Sequence, residues 1–244
     1  MRMFFGRWIP IAPVAVFLAA CAVLWWIGPV VSVAADTVHP YTVVLDAGHG
    51  GADGGTTGRS GTLEKTLNLE IAQKAAAFLR FFGVPVRMTR TDDRSLHSPQ
   101  AETLRAQKAE DLRQRCQIVQ SVPGALYLGI HQNFYGDYLS HGAQVFYAPD
   151  NHGGKLLAET LQLHLQTALP QSGNRKAAVI PNANYIMQHL SCPAVILECG
   201  FLSNPEEEML LCTPEYQAKI AFCISTAVLD AVSNGEICPG TVQR

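Results

Sequence analysis

The chain has 244 residues, 48% of them hydrophobic, which is enough apolar material for one globular domain and one extra segment. Its 18 basic and 20 acidic side chains leave a net charge of −2, with no basic run and no basic–aromatic stripe. Nucleic acid is thereby excluded as an expected partner, because binding it depends on counterion release by clustered Lys and Arg.

The extra segment comes first. Arg2 and Arg7 precede 28 residues, Trp8 to Ala35, that carry no charge. Such a run is long enough to cross a bilayer, and arginines in front of it direct the rest of the chain outward. Val33-Ala34-Ala35 before Asp36 resembles a signal-peptidase site. Leu18-Ala19-Ala20-Cys21 resembles a lipoprotein box, but the apolar stretch Ala22–Val31 stands where a polar tether belongs. Residues 1–35 are read as a signal peptide or a membrane anchor, two outcomes left level, and 36–244 as an exported catalytic domain. Without Arg2 and Arg7, that domain keeps 16 basic against 20 acidic groups, a net charge of −4. Its six cysteines, at 116, 192, 199, 212, 223 and 238, form no Cys-x-x-Cys pair and read as small core residues with at most one disulfide.

Apolar runs then alternate with helical patterns. Tyr41–Asp46 is the first expected strand. Glu64–Phe82 follows as a helix, with Leu67, Ile71, Phe78 and Phe82 on one face and Gly83 as its stop. Val84–Thr89 is a second strand, and a helix is expected around Glu102–Ser121. Ala125–Ile130 and Gly142–Tyr147 are the third and fourth strands, Leu156–Leu169 a helix, and Tyr185–Gln188 and Ala194–Glu198 two further strands. In the last helix Thr213 caps, Pro214 fills the first turn, and Asn234-Gly235 ends the element. The expected fold is α/β: a single domain with a mostly parallel twisted sheet of about six strands and helices on both faces.

Three of these strands deliver a polar residue at their carboxyl ends: His49, His131 and Glu198. Glu64 opens the helix one glycine-rich loop past the first strand. Ligands bind at that edge of such sheets. The separations are 15, 67 and 67 residues, so convergence has to come from the sheet. The glycine-rich segment fails as a nucleotide site, since Asp53 stands where both the dinucleotide and the phosphate-loop patterns need Gly, and Arg59 where the latter needs Lys. The glycines instead let the backbone fold closely around a metal.

His49, Glu64 and His131 form a His₂Glu donor set of the kind that holds one Zn²⁺ with an open position. Glu198, at the end of an apolar run, is expected to be desolvated and to serve as the proton-transferring carboxylate, aimed inward by a turn at Glu198-Cys199-Gly200. No His-Glu-x-x-His helix is present. Among the remaining candidates, His39, His97, His152 and His164 are read as surface or core residues, whereas His141 and His189 stay open as cleft residues. Asp46 is read as a residue that pins backbone or supports a ligand. Asp92, Asp93 and the glutamates at 206–208 are expected to be solvated loop or helix-start charges, and Arg113 and Arg115 to lie on an exposed helix face, with contact of one of them to a substrate carboxylate as the alternative.

At these residues the sequence resembles the zinc-dependent N-acetylmuramoyl-L-alanine amidases of the type-3 group. The matching pieces are Leu45-Asp46-Ala47-Gly48-His49-Gly50-Gly51, Glu64-Lys65, Thr89-Arg90, Leu112-Arg113-Gln114-Arg115, Ile130-His131-Gln132-Asn133 and Leu197-Glu198-Cys199-Gly200-Phe201-Leu202-Ser203-Asn204. The likeness spans about Tyr41 to Val232. It implies zinc on His49, Glu64 and His131, Glu198 as the catalytic carboxylate, and peptidoglycan as substrate, cut between N-acetylmuramic acid and L-alanine of the stem peptide. The short domain is most similar to sporulation-associated members, which prepare cortex peptidoglycan for muramic lactam formation. Departures at Gly129 and at Gln132-Asn133-Phe134-Tyr135 alter the cleft wall and leave the ligand set untouched. The expected partners are peptidoglycan, the membrane if residues 1–35 are retained, and a site-closing protein activator that the sequence does not identify. Two rival readings are an exported zinc hydrolase of another amide bond and an inactive wall-binding protein.

Overall fold

The computed structural model describes residues 40–169, 173–181, 184–235 and 237. The expected leader or anchor at 1–35 and His39 lie outside the described residues. Among those described, no helix is long and apolar enough to cross a membrane.

The elements follow in the order β1 (Thr42–Ala47), α1 (Glu64–Phe81), β2 (Val86–Met88), α2 (Leu104–Gln120), β3 (Ala125–Asn133), β4 (Gln144–Tyr147), α3 (His152–Ala168), β5 (Ala178–Val179), α4 (Tyr185–His189), β6 (Ala194–Phe201), α5 (Pro205–Leu211) and α6 (Pro214–Ser233). The strands form one six-stranded sheet in the order β2-β1-β3-β6-β4-β5. All neighbours are parallel except β4 and β6, which run antiparallel. Helices cover both faces. Leu67, Ile71 and Leu79 of α1 share the larger apolar cluster with Leu161 of α3 and Ile220 and Ile224 of α6. Cys116 and Val119 of α2 and Ile186 and Met187 of α4 pack with Tyr127 and Ile196 on the opposite face. The alternation along β1 and β3 is what divides them, since successive side chains of a strand point to opposite faces.

Two expected elements are corrected. Tyr185–Gln188 is not a strand but most of helix α4, because Asn184 caps it by accepting from the Met187 N–H at 3.1 Å. The sixth strand is instead the two-residue β5, paired with β4. Helix α3 begins a turn earlier than its apolar pattern suggests, capped by Asn151, which accepts from the Gly154 N–H at 2.6 Å. The ends of α6 are as expected, with Thr213 as cap, Pro214 in the first turn and Gly235 at positive φ behind Asn234.

Arg115 also departs from its expected place. It is 2% exposed, whereas Arg113 two residues earlier is solvent-facing. Its guanidinium pairs with the buried carboxylate of Asp46, donates to Asp111 at 2.6 Å, and reaches the Ala47 carbonyl at 2.9 Å. Asp46 receives further bonds from the Thr89 hydroxyl at 2.6 Å and the Tyr127 hydroxyl at 2.7 Å. Burial works against the charge of Asp46, but Arg115 and these two hydroxyls outweigh it and lower the carboxyl pKa.

Removing one member of a buried pair strands the other without water. Arg115→Met is therefore expected to cost about 3–5 kcal/mol in urea unfolding. Arg113→Ala should stay within about 0.5 kcal/mol. Similar small effects for both variants would contradict the buried pair.

Candidate metal centre

The centre is assembled where β1 runs out. Ala47 ends the strand, and the next residues turn sharply: His49 at φ 63°, Gly50 at 137° and Gly51 at 58°. His49 is the one non-glycine residue at positive φ among those described. Left-handed backbone in a residue with a Cβ costs roughly 1–2 kcal/mol, so something must hold it. Arg115 donates to the His49 carbonyl at 2.7 Å, and the Gly50 N–H bonds the Asp53 carbonyl at 2.9 Å. Gly48 allows the close approach: a Cβ there would stand 2.2 Å from Cε1 and 2.4 Å from Nε2 of the His131 ring.

Glu64 arrives from the other side, as the first residue of α1. That helix has no side-chain cap. Carbonyls of the preceding loop take over, with Glu64 N–H on Thr56 O at 3.0 Å and Lys65 N–H on Gly54 O at 3.2 Å. The loop answers the side chain too, since the Thr56 N–H donates to Glu64 Oε2 at 2.8 Å. Oε1 accepts from the Gln132 N–H at 3.1 Å and from Asn68, one helical turn on, at 3.3 Å. Glu64 is thus 4% exposed with both oxygens fixed.

Its Oε1 stands 3.3 Å from Nε2 of His49 and 3.0 Å from Nδ1 of His131. Ligand atoms of the three residues all lie within 4.8 Å of one another. A tetrahedral ion with bonds of roughly 2.0–2.1 Å sets its ligand atoms about 3.3–3.4 Å apart, so the two carboxylate–imidazole separations suit a shared cation. The far nitrogen of His49, Nδ1, donates to Asp53 Oδ2 at 2.9 Å, which leaves Nε2 turned toward the centre.

Electrostatics follow from this crowding. Burial opposes the charge of Glu64, but the hydrogen bonds from His131 and His49 prevail and hold its carboxyl far below the usual range. Burial likewise opposes protonation of His49, yet Asp53 and Glu64 raise it to about 9. Glu198 behaves in the opposite way. Desolvation pushes its carboxyl from 4.5 to about 7, and its Oε2 is buried without a hydrogen-bond partner. It pairs in register with His131 across β3 and β6, so both side chains occupy the same face of the sheet.

The structure brings all four expected residues to one edge, with differences in detail. β3 and β6 run on to Asn133 and Phe201, so His131 and Glu198 lie inside their strands, and there is no turn at Glu198-Cys199-Gly200. His141 stands exposed on the rim, its Nδ1 2.8 Å from the Leu139 carbonyl. His189 lies at the opposite edge, stacked on Tyr185 and bonded through its carbonyl to Gln120 at the end of α2. His164 bridges α3 to Thr226 and Asp230 on α6. The glutamates at 206–208 do open a helix, but Glu207 and Glu208 are buried. Glu208 grips Ser60, and Glu207 accepts from the N–H groups of Gly142 and Phe201. The described cysteines are free thiols.

The sequence assigns no role at the site to Asp53, Asn68 or Arg90, although Thr89-Arg90 is among the pieces that carry the family resemblance. Arg90 is 1% exposed and donates to the carbonyls of Ala47 at 2.8 Å, Gly48 at 3.0 Å and Lys65 at 2.8 Å. The Glu64/Asn68 spacing of four, which stacks both on one helix face, was the available signal.

The family described as N-acetylmuramoyl-L-alanine amidase matches residues 43–230. The chain is 38% identical over 187 residues to the germination-specific N-acetylmuramoyl-L-alanine amidase of Bacillus subtilis (strain 168), covering 77% of this chain and 78% of that protein. It is 31% identical over 175 residues to the probable cell wall amidase LytH of Staphylococcus aureus, covering 70% of this chain and 51% of that one. Among solved structures, the CwlD amidase from Clostridioides difficile, determined in complex with the GerS lipoprotein, superposes with a TM-score of 0.75 at 33% identity, covering 80% of this chain and 99% of that one.

The burial of Glu198 has a thermodynamic consequence. A carboxyl raised from 4.5 to about 7 on folding makes the folded state bind more protons between those values, so its stabilising share is complete below 4.5 and lost as pH rises through about 7. Glu198→Gln cannot ionise. In metal-free protein, its melting temperature relative to wild type is expected to rise between about pH 5 and about pH 8. A difference that stays flat or falls would contradict the desolvation of this group.

Proposed function

The chain belongs to the N-acetylmuramoyl-L-alanine amidase family, and from that premise we propose that His49, Glu64 and His131 hold one zinc ion beside Glu198 as the proton-transferring carboxylate. The protein hydrolyses the amide between N-acetylmuramic acid and the L-alanine of peptidoglycan stem peptides, and its relatives imply an exported, cell-wall-related role. The observation that carries the metal assignment is the single Glu64 oxygen set 3.0 and 3.3 Å from two imidazole nitrogens.

When bound, zinc supplies Lewis acidity, giving a water of pKa roughly 7 and polarising the carbonyl under attack. The protein supplies the rest. Asp53 keeps the His49 proton on Nδ1, so Nε2 is a donor atom for the cation. Asn68 and the Thr56 and Gln132 N–H groups keep both Glu64 oxygens oriented. Glu198 takes the proton of the attacking water and returns it to the departing nitrogen of L-alanine. Its pKa near 7, raised by desolvation, suits a group that must accept and donate in one turnover. A nearby cation would lower that value.

The same reading extends to context. The likeness to a germination-specific amidase supports action on spore cortex peptidoglycan, where removing stem peptides frees the lactyl carboxyl needed for muramic lactam formation. Residues 1–35 serve as the export signal or anchor. The GerS lipoprotein in the CwlD structure supports a protein partner for this chain as well.

Chelation is expected to abolish activity and zinc to restore it. Glu198→Gln should keep about one zinc per chain and lose at least about 10²-fold in kcat, whereas His49→Ala should lose both metal and turnover. Mass spectrometry of digested peptidoglycan should show a free lactyl carboxyl and a new alanine amino terminus. Wild-type rates in Glu198→Gln would remove it from the proton-transfer role, and cleavage at another amide would overturn the substrate assignment.

A further inference from the structure

The six residues after Asn133 carry four large apolar side chains into solvent: Phe134 at 49% exposure, Tyr135 at 62%, Tyr138 at 58% and Leu139 at 83%. Ordinary loops are polar, and so dense a cluster beside a reaction centre calls for an occupant. The position is direct. Phe134 lies three residues past His131, within roughly 10 Å along the backbone, at the carboxyl edge of the sheet.

The backbone of this loop is held from several sides. Asn133 O accepts from the Leu202 N–H at 2.8 Å, and the Tyr135 N–H donates to Ser203 Oγ at 3.1 Å. Asp137 Oδ1 accepts from the Leu139 and Ser140 N–H groups at 2.9 and 2.7 Å, and Asn204 Nδ2 reaches the Ser140 carbonyl at 3.3 Å. A second loop joins it. The Arg59 guanidinium lies 4.1 Å from the centroid of the Tyr138 ring, and its neighbour Ser60 is bound through both N–H and hydroxyl by Glu208. Glu207, one residue earlier on α5, takes the Gly142 N–H at the far end of the aromatic loop at 2.9 Å. One helix thus fixes both parts, and the rings are displayed on a prepared surface.

We propose that Phe134, Tyr135 and Tyr138, with Arg59, form a wall that stacks a sugar ring of the glycan strand next to the muramoyl residue being cut. This deepens the amidase reading and rests on it. A pyranose offers one face of C–H groups to the negative face of an aromatic ring, and its hydroxyls and acetamido groups suit the free N–H donors of a guanidinium. Three rings and one cation match such a largely uncharged ligand better than an ionised peptide, whose carboxylates call for several paired bases. The wall makes the enzyme prefer longer glycan: the bond cut is the same, and the extra affinity comes from sugars beyond the reacting one.

The test compares kcat/KM of the full chain on a single-sugar muramoyl-L-alanyl peptide and on glycan chains of four or more sugars bearing the same peptide. Wild type should favour the longer substrate. The double variant Phe134→Ala/Tyr135→Ala, and separately Tyr138→Ala, should lower the long-over-short ratio by roughly fivefold, mainly through KM, while Tyr138→Phe keeps most of it. Calorimetric binding of peptide-free glycan should weaken in parallel. A ratio that does not move, or an equal fall on both substrates as from loss of structure, overturns the wall while leaving the amidase reading in place. A wild type that cleaves neither substrate overturns both.

Discussion

Three successive carbonyls, those of Ala47, Gly48 and His49, turn into the protein at the end of β1, and two buried arginines answer them. Arg90 binds the first two through Nε and Nη2, and Arg115 binds the first and third through Nη1 and Nη2. Without these donors the backbone could not hold a histidine at positive φ away from water, since a buried carbonyl left unpaired costs about 1–3 kcal/mol. Arginine suits the task because its planar fork serves several acceptors from one rigid group. The charge of Arg115 is balanced by Asp46 and Asp111, whereas burial and the proximity of Arg115 lower the pKa of Arg90.

From that turn the rest follows outward. Gly48 lets His131 come against the backbone, and the turned His49 meets Glu64 on the far side. The loop between β1 and α1 does two jobs at once: its carbonyls cap the helix, and its Thr56 N–H orients the carboxylate that the helix presents. Helix α5 then ties that loop to the rim through Glu208 and Ser60. The three proposed donors are therefore positioned by hydrogen bonds of the fold itself, an arrangement that would keep the cost of assembling them out of a binding step. Glu198 is the exception. It is held by burial and its strand, with Oε2 buried and unbonded, which suits the proton-transfer role proposed for it.

The legible parts of the sequence were those where one physical signal acted alone. β1, β3 and β6 are nearly pure apolar runs because both faces of a parallel sheet are covered. A histidine or glutamate in or just past each run is the signal that singles out His49, His131 and Glu198 as candidates, His49 standing two residues beyond the end of β1. Elsewhere signals competed or were too short. Four residues at Tyr185–Gln188 cannot show a period of 3.6 against one of 2, and the Asn184 cap decided for helix. Two residues of β5 carry no pattern. Helix α2 is polar almost all round, so nothing singled out Arg115 as its buried face. In the sequence Asp53 shows only as a missing glycine, yet its carboxylate orients His49, and that role depends on a turn whose shape no spacing rule encodes.

The most direct measurement of the central claim is X-ray absorption at the zinc edge of the loaded protein. The geometry predicts two imidazole rings and otherwise oxygen scatterers, at bond lengths of about 2.0–2.1 Å in a four-coordinate shell. Sulfur scattering near 2.3 Å, or a shell with one imidazole or none, would mean that the ion sits elsewhere and that the convergence of His49, Glu64 and His131 serves some other purpose.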